Sequence, residues 1–599
     1  MPCCLPDSVG QRCRVNAKNF FAELKRRNVY KVAIAYAIVA WLLVQVATST
    51  FPVLEIPNWA IKLVIALVVL GFPVAMVIAW AFELTPEGLK RTETANGEPA
   101  KPTRNKAWIY LVMIAAALSV GLFFLGRYTA PKSAVAPGAS DKSIAVLPFV
   151  DLSQAKDQEY FCDGISEEIL DALTKVEGLR VVARTSSFSF KGKNADVGEI
   201  AQKLSVQNVL EGSLRREGNR IRITAQLINA RDGFHIWSET FERELQGVFT
   251  VQDEITRSIV DALKIKLAVA PVTQPQRDTD AYDLYLQGLY LSNKSDEEDL
   301  RKSLSFFQRA LDKDPNLARA WTGIAKAWFW LADAYVKPLD GYPAVESAAA
   351  KALELNERDA DAHSYLSVVK RALHWDWNGA ERELKRAIEV EPNSATAHSL
   401  LAYQRMCTGD LEGASREMNE AEHLDPLSPS ISTFQAGLYV NADRLDDALA
   451  AATRTVKIDP NYIYQEPILG RVYREQGKLD RALEIYLKAQ EMTHEPTAGL
   501  AITYARLGQR NEAHRVLQML IEKTNRHYVA AEQIAFIFVA LGDHDEAFRW
   551  LDRAVDEHTA NVIATRPELR PLHADRRFAE LLRRMGIDPA KVVGRQNVQ

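Results

Sequence analysis

The alternation of apolar and polar residues divides the chain into regions of different structure. Over residues 143–270, short apolar runs such as SIAVLPFV (143–150) alternate with segments such as GISEEILDALTKV (164–176), whose apolar residues recur every three or four positions. The first pattern is typical of buried strands and the second of one helix face, for which Asp163 is the expected N-cap. The segment RIRITAQLIN (220–229) alternates strictly, which indicates a strand with one face in solvent. We therefore predict a small α/β domain at 143–270.

From Ala281 to Asp556 the pattern is helical, with a 34-residue repeat that is exact in the centre and looser on both sides. Three series keep this step: Ala380, Ala414, Ala448 and Ala482; Ala387, Ala421, Thr455 and Ala489; and Pro392, Pro426 and Pro460. Small side chains let two antiparallel helices approach closely, proline ends a helix, and copies must stack to bury their apolar faces. The spacing resembles the tetratricopeptide repeat (TPR). It predicts an all-α solenoid of about eight repeats at 281–556, followed by a C-terminal cap and tail at 557–599.

Three apolar runs precede these regions, at 32–50, 61–82 and 107–126. Each has about the 20 residues that cross a bilayer core, so the fold class predicted here begins with three transmembrane helices, in a membrane region at 32–127. Lys and Arg number seven in the N-terminal segment 1–31, none in the loop 51–60 and five in the loop 84–106. This distribution predicts a cytoplasmic N-terminus and a cytoplasmic loop 84–106. If the third run were instead a buried core helix, the large C-terminal region would lie on the cytoplasmic side of the membrane.

This topology predicts a multi-pass protein of the bacterial inner (cytoplasmic) membrane, in contact with the lipid bilayer, whose large C-terminal region is periplasmic. Residues 128–142 are rich in Pro, Ala, Gly and Ser, which suits an extended linker. The net charge of −4 gives no sign of a nucleic-acid-coating protein, and no nucleic-acid partner is expected.

The five cysteines are too few for a disulfide framework. Cys3, Cys4 and Cys13 lie together at the N-terminus, whereas Cys162 and Cys407 fall in different predicted domains. A lipidation or metal role for Cys3 and Cys4 would need a preceding apolar stretch or a second ligand pair, and the sequence has neither. We interpret all five as unpaired.

A family resemblance appears in the α/β region. The segments YFCDGISEEILDALTKVEGLRVVARTSSFSFKGK and VLEGSLRREGNRIRITAQLI resemble the domain family named after the N-terminal domain of the periplasmic protein TolB, which is related to the FlgO domain. The predicted membrane segments are similar to the anchors of that architecture. Relatives combine this domain with TPRs, sometimes behind an adenylate cyclase or winged-helix domain. Residues 1–31 are too few for either output, and the resemblance implies no catalytic residue.

Two sets of residues are candidates for binding. The segment RTSSFSFKGK (184–193) is polar and basic directly after a strand, where α/β domains often bind ligands. Its candidate ligand residues are Arg184, Thr185, Ser186, Ser187 and Lys191. A strand-end turn that uses Ser and Thr for local hydrogen bonds explains the same residues.

The second set lies on the solenoid. The repeat register places Tyr403, Arg471 and Arg474 toward the groove that a TPR stack forms, as candidates for a protein or peptide partner. The alternative is that these arginines are simply solvated. His363 and His398 share one repeat position, which marks them as packing residues rather than metal ligands.

The sequence lacks G-x-x-x-x-G-K-[ST], G-x-G-x-x-G, H-E-x-x-H and C-x-x-C, and no nucleophile stands with a base and its orienter. We therefore predict a protein that is not an enzyme and uses no cofactor. Its predicted function is that of a membrane-anchored scaffold whose exported solenoid binds a protein or peptide. The alternative is the sensory half of a transmembrane signalling system. The sequence does not indicate an oligomeric state.

Overall fold

The chain divides into two units, Met1–Arg127 and Tyr128–Gln599. A computed structural model describes residues 36, 39–41, 66–68, 70–72, 82–85, 88–91, 142–244, 248–263, 278–294, 296–463, 466–524 and 528–593. In the first unit, β1 (Phe82–Thr85) and β2 (Gly88–Arg91) form an antiparallel hairpin. The Tyr36 hydroxyl donates a hydrogen bond to the Val68 carbonyl oxygen at 2.7 Å.

The predicted membrane region is not found in the part of the chain that the structure describes. Among the described residues, no helix has the length and apolar character that crossing a membrane requires. The run 107–126 lies outside these residues, as does most of 32–50 and 61–82, and Phe82, the last residue of the second run, begins β1. This finding contradicts the three predicted transmembrane helices and the multi-pass membrane localisation. A span needs both apolar composition and an unbroken helix of about 20 residues, and the sequence pattern addressed only the first requirement.

The second unit begins with a six-stranded mixed sheet. The elements of this region are β3 (Ser143–Val146), β4 (Val150–Asp151), α1 (Glu159–Thr174), β5 (Arg180–Val181), α2 (Arg184–Phe188), α3 (Val197–Leu204), β6 (Asn208–Glu217), β7 (Arg220–Asn229), β8 (His235–Glu244) and α4 (Val248–Ala262). The strand order is β5-β3-β6-β7-β8, with β4 beside β6. β3 runs parallel to β5 and β6, whereas β7 is antiparallel to both β6 and β8. The edges of the sheet are thus β5 and β8.

Helix α1 covers one face of this sheet. Its Ile165 and Ile169 are fully buried in the same cluster as Ile221 of β7, as the predicted helical and strand periodicities require. The helix begins at Glu159, so the predicted N-cap Asp163 lies inside it. The prediction of the helix start was wrong because Phe161, which is fully buried, extends the apolar face upstream.

The C-terminal region is a helical solenoid. Between residues 279 and 556 the structure describes sixteen helices in eight consecutive pairs: α5 (Thr279–Ser292), α6 (Glu297–Lys313), α7 (Ala318–Ala334), α8 (Pro338–Leu355), α9 (Ala360–Ala372), α10 (Trp377–Val390), α11 (Ala395–Cys407), α12 (Leu411–Leu424), α13 (Pro429–Asn441), α14 (Leu445–Ile458), α15 (Ile468–Glu475), α16 (Leu479–Thr493), α17 (Ala498–Arg506), α18 (Arg510–Lys523), α19 (Ala531–Leu541) and α20 (His544–Asp556). A 3₁₀ helix (Pro567–Leu572), α21 (Arg576–Arg584) and α22 (Pro589–Val593) follow.

Small residues sit where these helices cross. Ala380, Ala414, Ala448 and Ala482 are all fully buried. In the first two pairs, Gly288 and Gly323 both face the ring of Phe307. A Cβ would lie 2.7 Å from this ring at Gly288 and 2.5 Å from it at Gly323. The large aromatic ring therefore fills the space that the absent side chains leave, as the repeat pattern predicts.

The segment after α20 folds back onto earlier pairs. His558 Nδ1 lies 2.8 Å from the Ala372 carbonyl oxygen, and the Trp377 indole N–H donates to the Met585 carbonyl oxygen at 2.6 Å. The Asn441 side-chain amide donates to Thr565 Oγ1 at 3.3 Å. These contacts join the segment after α20 to α9, α10 and α13.

Candidate functional site

The first half of the predicted ligand segment docks against the solenoid. Residues 184–188 form α2 rather than an open loop. The Ser186 backbone N–H donates to the Asp425 carboxylate at 2.9 Å, and its hydroxyl donates to the same oxygen. The Leu427 N–H in turn donates to Ser186 Oγ at 2.7 Å, and the Ala183 N–H donates to the Leu424 carbonyl oxygen at 2.8 Å. Ser186 therefore binds the chain's own turn between α12 and α13.

The other predicted ligand residues have separate environments. Arg184 Nε pairs with Glu167 at 2.8 Å, Ser187 is fully buried and Thr185 is exposed. Lys191 Nζ lies 2.6 Å from both Glu159 and Asp163. The structure thus does not gather these five side chains around one point.

A second set of contacts fixes α1 and its flanks to the solenoid. The Asn393 side-chain amide donates to the carbonyl oxygens of Thr174, at 3.1 Å, and Leu179, at 2.9 Å. Arg319 of α7 forms an ion pair with Glu168, which also accepts a hydrogen bond from the Tyr285 hydroxyl at 3.2 Å. Glu168 is only 5% exposed, and a buried charge is stable only when it is paired in this way.

Asp283 adds a third anchor near the start of the solenoid. Its carboxylate accepts from the Tyr160 hydroxyl at 2.8 Å and pairs with Arg216 at 3.3 Å. Burial raises the pKa of Tyr160, and the neighbouring Asp283 raises it further. The hydroxyl therefore stays protonated and acts as a donor to Asp283.

The predicted groove residues Arg471 and Arg474 bind carboxylates of the same chain. Arg474 is almost completely buried and donates to Glu568 at 2.8 Å, to Glu466 at 3.2 Å and to the Tyr486 hydroxyl at 2.8 Å. Arg471 donates to Asn441 Oδ1 at 2.8 Å and lies 3.6 Å from Glu568. Burial raises the pKa of Glu568, but Arg566, Arg471 and Arg474 lower it more, so its net pKa lies well below the usual range.

Glu568 belongs to the 3₁₀ helix outside the repeats, so the repeat pattern gave no signal for it. The third predicted groove residue, Tyr403, lies under the Arg371 guanidinium, 4.7 Å from the ring centroid, and contacts Phe434 edge-on. All three predicted groove residues are therefore occupied by contacts within the chain.

A cleft of about 840 Å³ opens in the α/β region. Its floor is formed by Glu211 and Ser213 of β6 with Thr224 and Gln226 of β7. One wall is the β3–β4 connection, and the other includes Phe190 and the segment after it, the second half of the predicted ligand segment. Among the described residues, no group of three or more His, Cys, Asp or Glu side chains is arranged to hold a metal ion.

Two family models match the chain. One is described as the HilA/YgeH-like transcriptional regulator, second domain, and covers residues 140–258; the other is the tetratricopeptide repeat and covers residues 468–497. The tetratricopeptide match covers α15 and α16 and supports the repeats predicted in the C-terminal solenoid. The model that matches the α/β region is not the TolB family, so the resemblance to that family stays a prediction.

Among proteins with curated descriptions, the chain is 43% identical to "Putative adenylate cyclase 3" of Rhizobium meliloti (strain 1021) over 190 residues, which are 31% of this chain and 32% of that protein. The chain therefore spans about a third of that relative's length.

Solved structures similar to this chain include a thermophilic TPR protein of Thermus thermophilus, at 20% identity over 33% of this chain and 98% of that one, with a TM-score of 0.28. Another is YrrB, a TPR protein with an unusual peptide-binding site, at 20% identity over 30% of this chain and 88% of that one, with a TM-score of 0.21.

Proposed function

We propose that the protein is a non-catalytic scaffold, in which the TPR solenoid holds the α/β domain and presents it to a protein or peptide partner. The observation that carries this proposal is that polar side chains of the solenoid bind other parts of the same chain. Asp425 and Asn393 hold the α/β domain, while Arg471 and Arg474 hold Glu568. A solenoid bonded in this way serves as a rigid support, and the partner meets a surface that these contacts leave open.

The open surface that we propose is the edge strand β8. The opposite edge, β5, leads directly into the segment that docks on Leu424 and Asp425. Among the described residues, no strand pairs with the outer side of β8 over its ten residues, His235–Glu244. Such an edge offers free backbone N–H and C=O groups to an added strand. Phe234, 73% exposed, and Ile236, 39% exposed, supply apolar anchors beside it.

The charge of β8 favours a basic partner segment. The strand carries three carboxylates, and Glu242 pairs with Arg222 of β7. The guanidinium of Arg243 pairs with Glu254 at 3.1 Å. Among the described residues, Glu239 and Glu244 are left without an ion pair. Charge complementarity across an interface speeds association and selects partners. We therefore propose an extended partner segment that carries Lys or Arg.

The similarities to other proteins support an accessory role for the α/β domain. The matching family model describes a second domain of transcriptional regulators, and the predicted TolB-like resemblance also concerns a domain without known catalytic residues. Cyclase activity is not proposed for this chain, because its similarity to the Rhizobium meliloti protein covers only a third of that protein and no nucleotide-binding motif is present. The alternative of a transmembrane receptor depended on the predicted spans and is not retained.

The test is cross-linking mass spectrometry on the full chain after affinity capture of a bound protein. The variant Glu239→Lys/Glu244→Lys reverses charge on β8, and Glu484→Lys/Glu491→Lys, on exposed positions of α16, is its matched control. We expect cross-links to concentrate on residues 234–244 and to disappear in the β8 variant only. Cross-links confined to the solenoid, or equal capture by both variants, would overturn the proposal.

A further inference from the structure

We propose that the 840 Å³ cleft in the α/β domain binds a small zwitterion of the α-amino-acid class, with Glu211 holding its ammonium group and Lys193 its carboxylate. This site goes beyond the proposed scaffold function and uses a different surface from β8. Its volume lies within the range of about 300–1,000 Å³ that is typical of small-molecule sites.

β6 carries a glycine, Gly212, between the two floor residues Glu211 and Ser213. A Cβ on Gly212 would lie 2.8 Å from the Phe149 ring and 2.6 Å from the Thr224 carbonyl oxygen. Because neighbouring residues of a strand point to opposite faces, this position faces away from Glu211 and Ser213. Phe149 packs there and holds the β3–β4 connection beside β6, at the edge of the polar floor.

Most charged groups around the cleft are already engaged. Lys191 is held by Glu159 and Asp163, each at 2.6 Å. The Asp151 carboxylate accepts from the backbone N–H groups of Ser153, at 2.8 Å, and Gln158, at 2.9 Å. Hydrogen bonds of this kind satisfy a carboxylate without a ligand.

Of the remaining polar groups, Thr224 Oγ1 lies 3.1 Å from Thr240 Oγ1, and four others are not engaged. Among the described residues, the side chains of Glu211, Ser213, Gln226 and Lys193 have no hydrogen-bond or ion-pair partner, although all four line the cleft. Glu211 is half-buried, lies directly opposite Gln226 in the strand register, and is therefore a charge in a partly desolvated position. An unpaired carboxylate in such a place favours a cationic group.

The two free charges have opposite signs and lie on different parts of the cleft. Glu211 belongs to the floor, whereas Lys193 lies on the segment that forms one wall. A ligand that carries only an amine satisfies the first and not the second, and a simple carboxylate does the reverse. A zwitterion satisfies both charges in one molecule.

The apolar part of the lining indicates a side chain on this zwitterion. Phe190 and Ile200 line the cleft as buried residues, whereas Val150, also in the lining, is 57% exposed. An apolar side chain left in solvent gains by contact with an apolar group. The ligand class is thus an amino acid with an apolar side chain.

The test is isothermal titration calorimetry of the full chain with L-leucine, L-methionine and L-phenylalanine. Isoamylamine and 4-methylpentanoate, which keep the apolar group of leucine but carry only one charge each, are titrated in parallel. At least one amino acid is expected to bind at least tenfold more tightly than either singly charged compound.

Glu211→Gln and Lys193→Met are each expected to weaken amino-acid binding at least tenfold. Glu217→Gln, on the same strand but outside the cleft lining, is the control for Glu211 and is expected to leave binding unchanged. Far-ultraviolet circular dichroism and thermal melting of each variant separate loss of binding from loss of fold. Absence of binding by all three amino acids, equal binding of isoamylamine, or binding unaffected in a folded Glu211→Gln variant would overturn the proposal.

Discussion

Ser186 and Asp425, 239 positions apart in the sequence, are joined by two hydrogen bonds to one buried carboxylate oxygen. Burial raises the pKa of Asp425, and hydrogen bonds from Ser186 oppose this rise because they stabilise the charged form. The pair fixes the segment after β5 to the turn between two repeats. It is therefore a direct link between the α/β domain and the solenoid.

Replacing Asp425 with Ala is expected to loosen this link. The N–H and hydroxyl of Ser186 would lose their acceptor, and each buried group left unsatisfied costs about 1–3 kcal/mol. Hydrogen exchange of the full chain should show faster exchange at residues 183–190 in this variant. Asp480→Ala, at an exposed position of α16, is the control and should leave that segment protected. Equal protection in both variants would show that the docked segment is held by other contacts.

Replacing Arg474 with Met is expected to destabilise the C-terminal half of the solenoid by about 3–5 kcal/mol, because Glu466 and Glu568 would remain as buried carboxylates with weaker pairing. The measurement is urea unfolding of the full chain, with Lys488→Met on the exposed side of α16 as control.

The double variant Arg474→Met/Glu568→Gln refines this prediction. Removing the second charge with the first should cost less than the sum of the two single changes, because the loss in each single variant includes an unpaired partner. Strict additivity would mean that the two groups do not depend on each other.

His363 contributes a pH-dependent contact. Its Nδ1 lies 2.6 Å from Glu383, which also accepts from Lys370 at 2.6 Å. Burial lowers the pKa of His363, but the bonds to Glu383 and to the Glu357 carbonyl oxygen raise it more, so its net pKa lies above 6.5. The hydrogen bond from His363 is the main cause that lowers the pKa of Glu383 to about 2.

The stabilisation from His363 should therefore be complete below pH 6.5 and disappear as the pH rises through the higher folded-state pKa. The stabilisation from the Glu383 carboxylate is present above pH 4.5 and is lost as the pH falls toward its folded-state pKa of about 2. Unfolding free energies of His363→Gln and of the unsubstituted chain, measured between pH 5 and pH 9, should converge with rising pH. His514→Gln, at an exposed position of α18, should show no such convergence. A constant difference over this range would contradict the prediction.

Gly323→Ala is expected to destabilise the first two repeats by about 1–3 kcal/mol, since the new methyl group would lie 2.5 Å from the Phe307 ring. Gly437→Ala is the matched control in α13, where the methyl group would meet only Arg471 Nη1 at an ordinary 3.5 Å. It should be neutral or stabilise the helix by up to about 1 kcal/mol. Thermal unfolding of the two variants measures both changes in stability. Equal melting temperatures would show that Phe307 moves aside freely.

The repeats could be predicted from the sequence because their determinants are local and periodic. Ala380, Ala414 and Ala448 recur at a fixed step, and each small residue marks a helix crossing whatever lies elsewhere in the chain. Most strands and helices of the α/β region followed from the same kind of local pattern, whereas α2 formed at residues where a loop was expected. For the apolar runs near the N-terminus this reasoning is limited, because composition alone does not determine whether a continuous helix forms.

The partners that the candidate binding residues have within the chain could not be predicted from such local patterns. The register placed Arg471 and Arg474 together, but their partner Glu568 lies 94 residues beyond Arg474 in a segment without repeats. Ser186 was identified as a ligand residue because it follows a strand, and its acceptor Asp425 sits in a different domain. Such pairings depend on how distant elements pack, and the sequence pattern carries no information on them.

The hydrogen bond between Trp377 and Met585 spans 208 residues and ties the end of the chain to the middle of the array. In an open solenoid each repeat touches only its neighbours, so copies can be gained or lost with little effect on the rest. Here the insertion or deletion of one repeat between α10 and α20 would pull this contact out of register. We therefore expect this contact to disfavour a change in the number of repeats and to couple the unfolding of the helices between Trp377 and Met585.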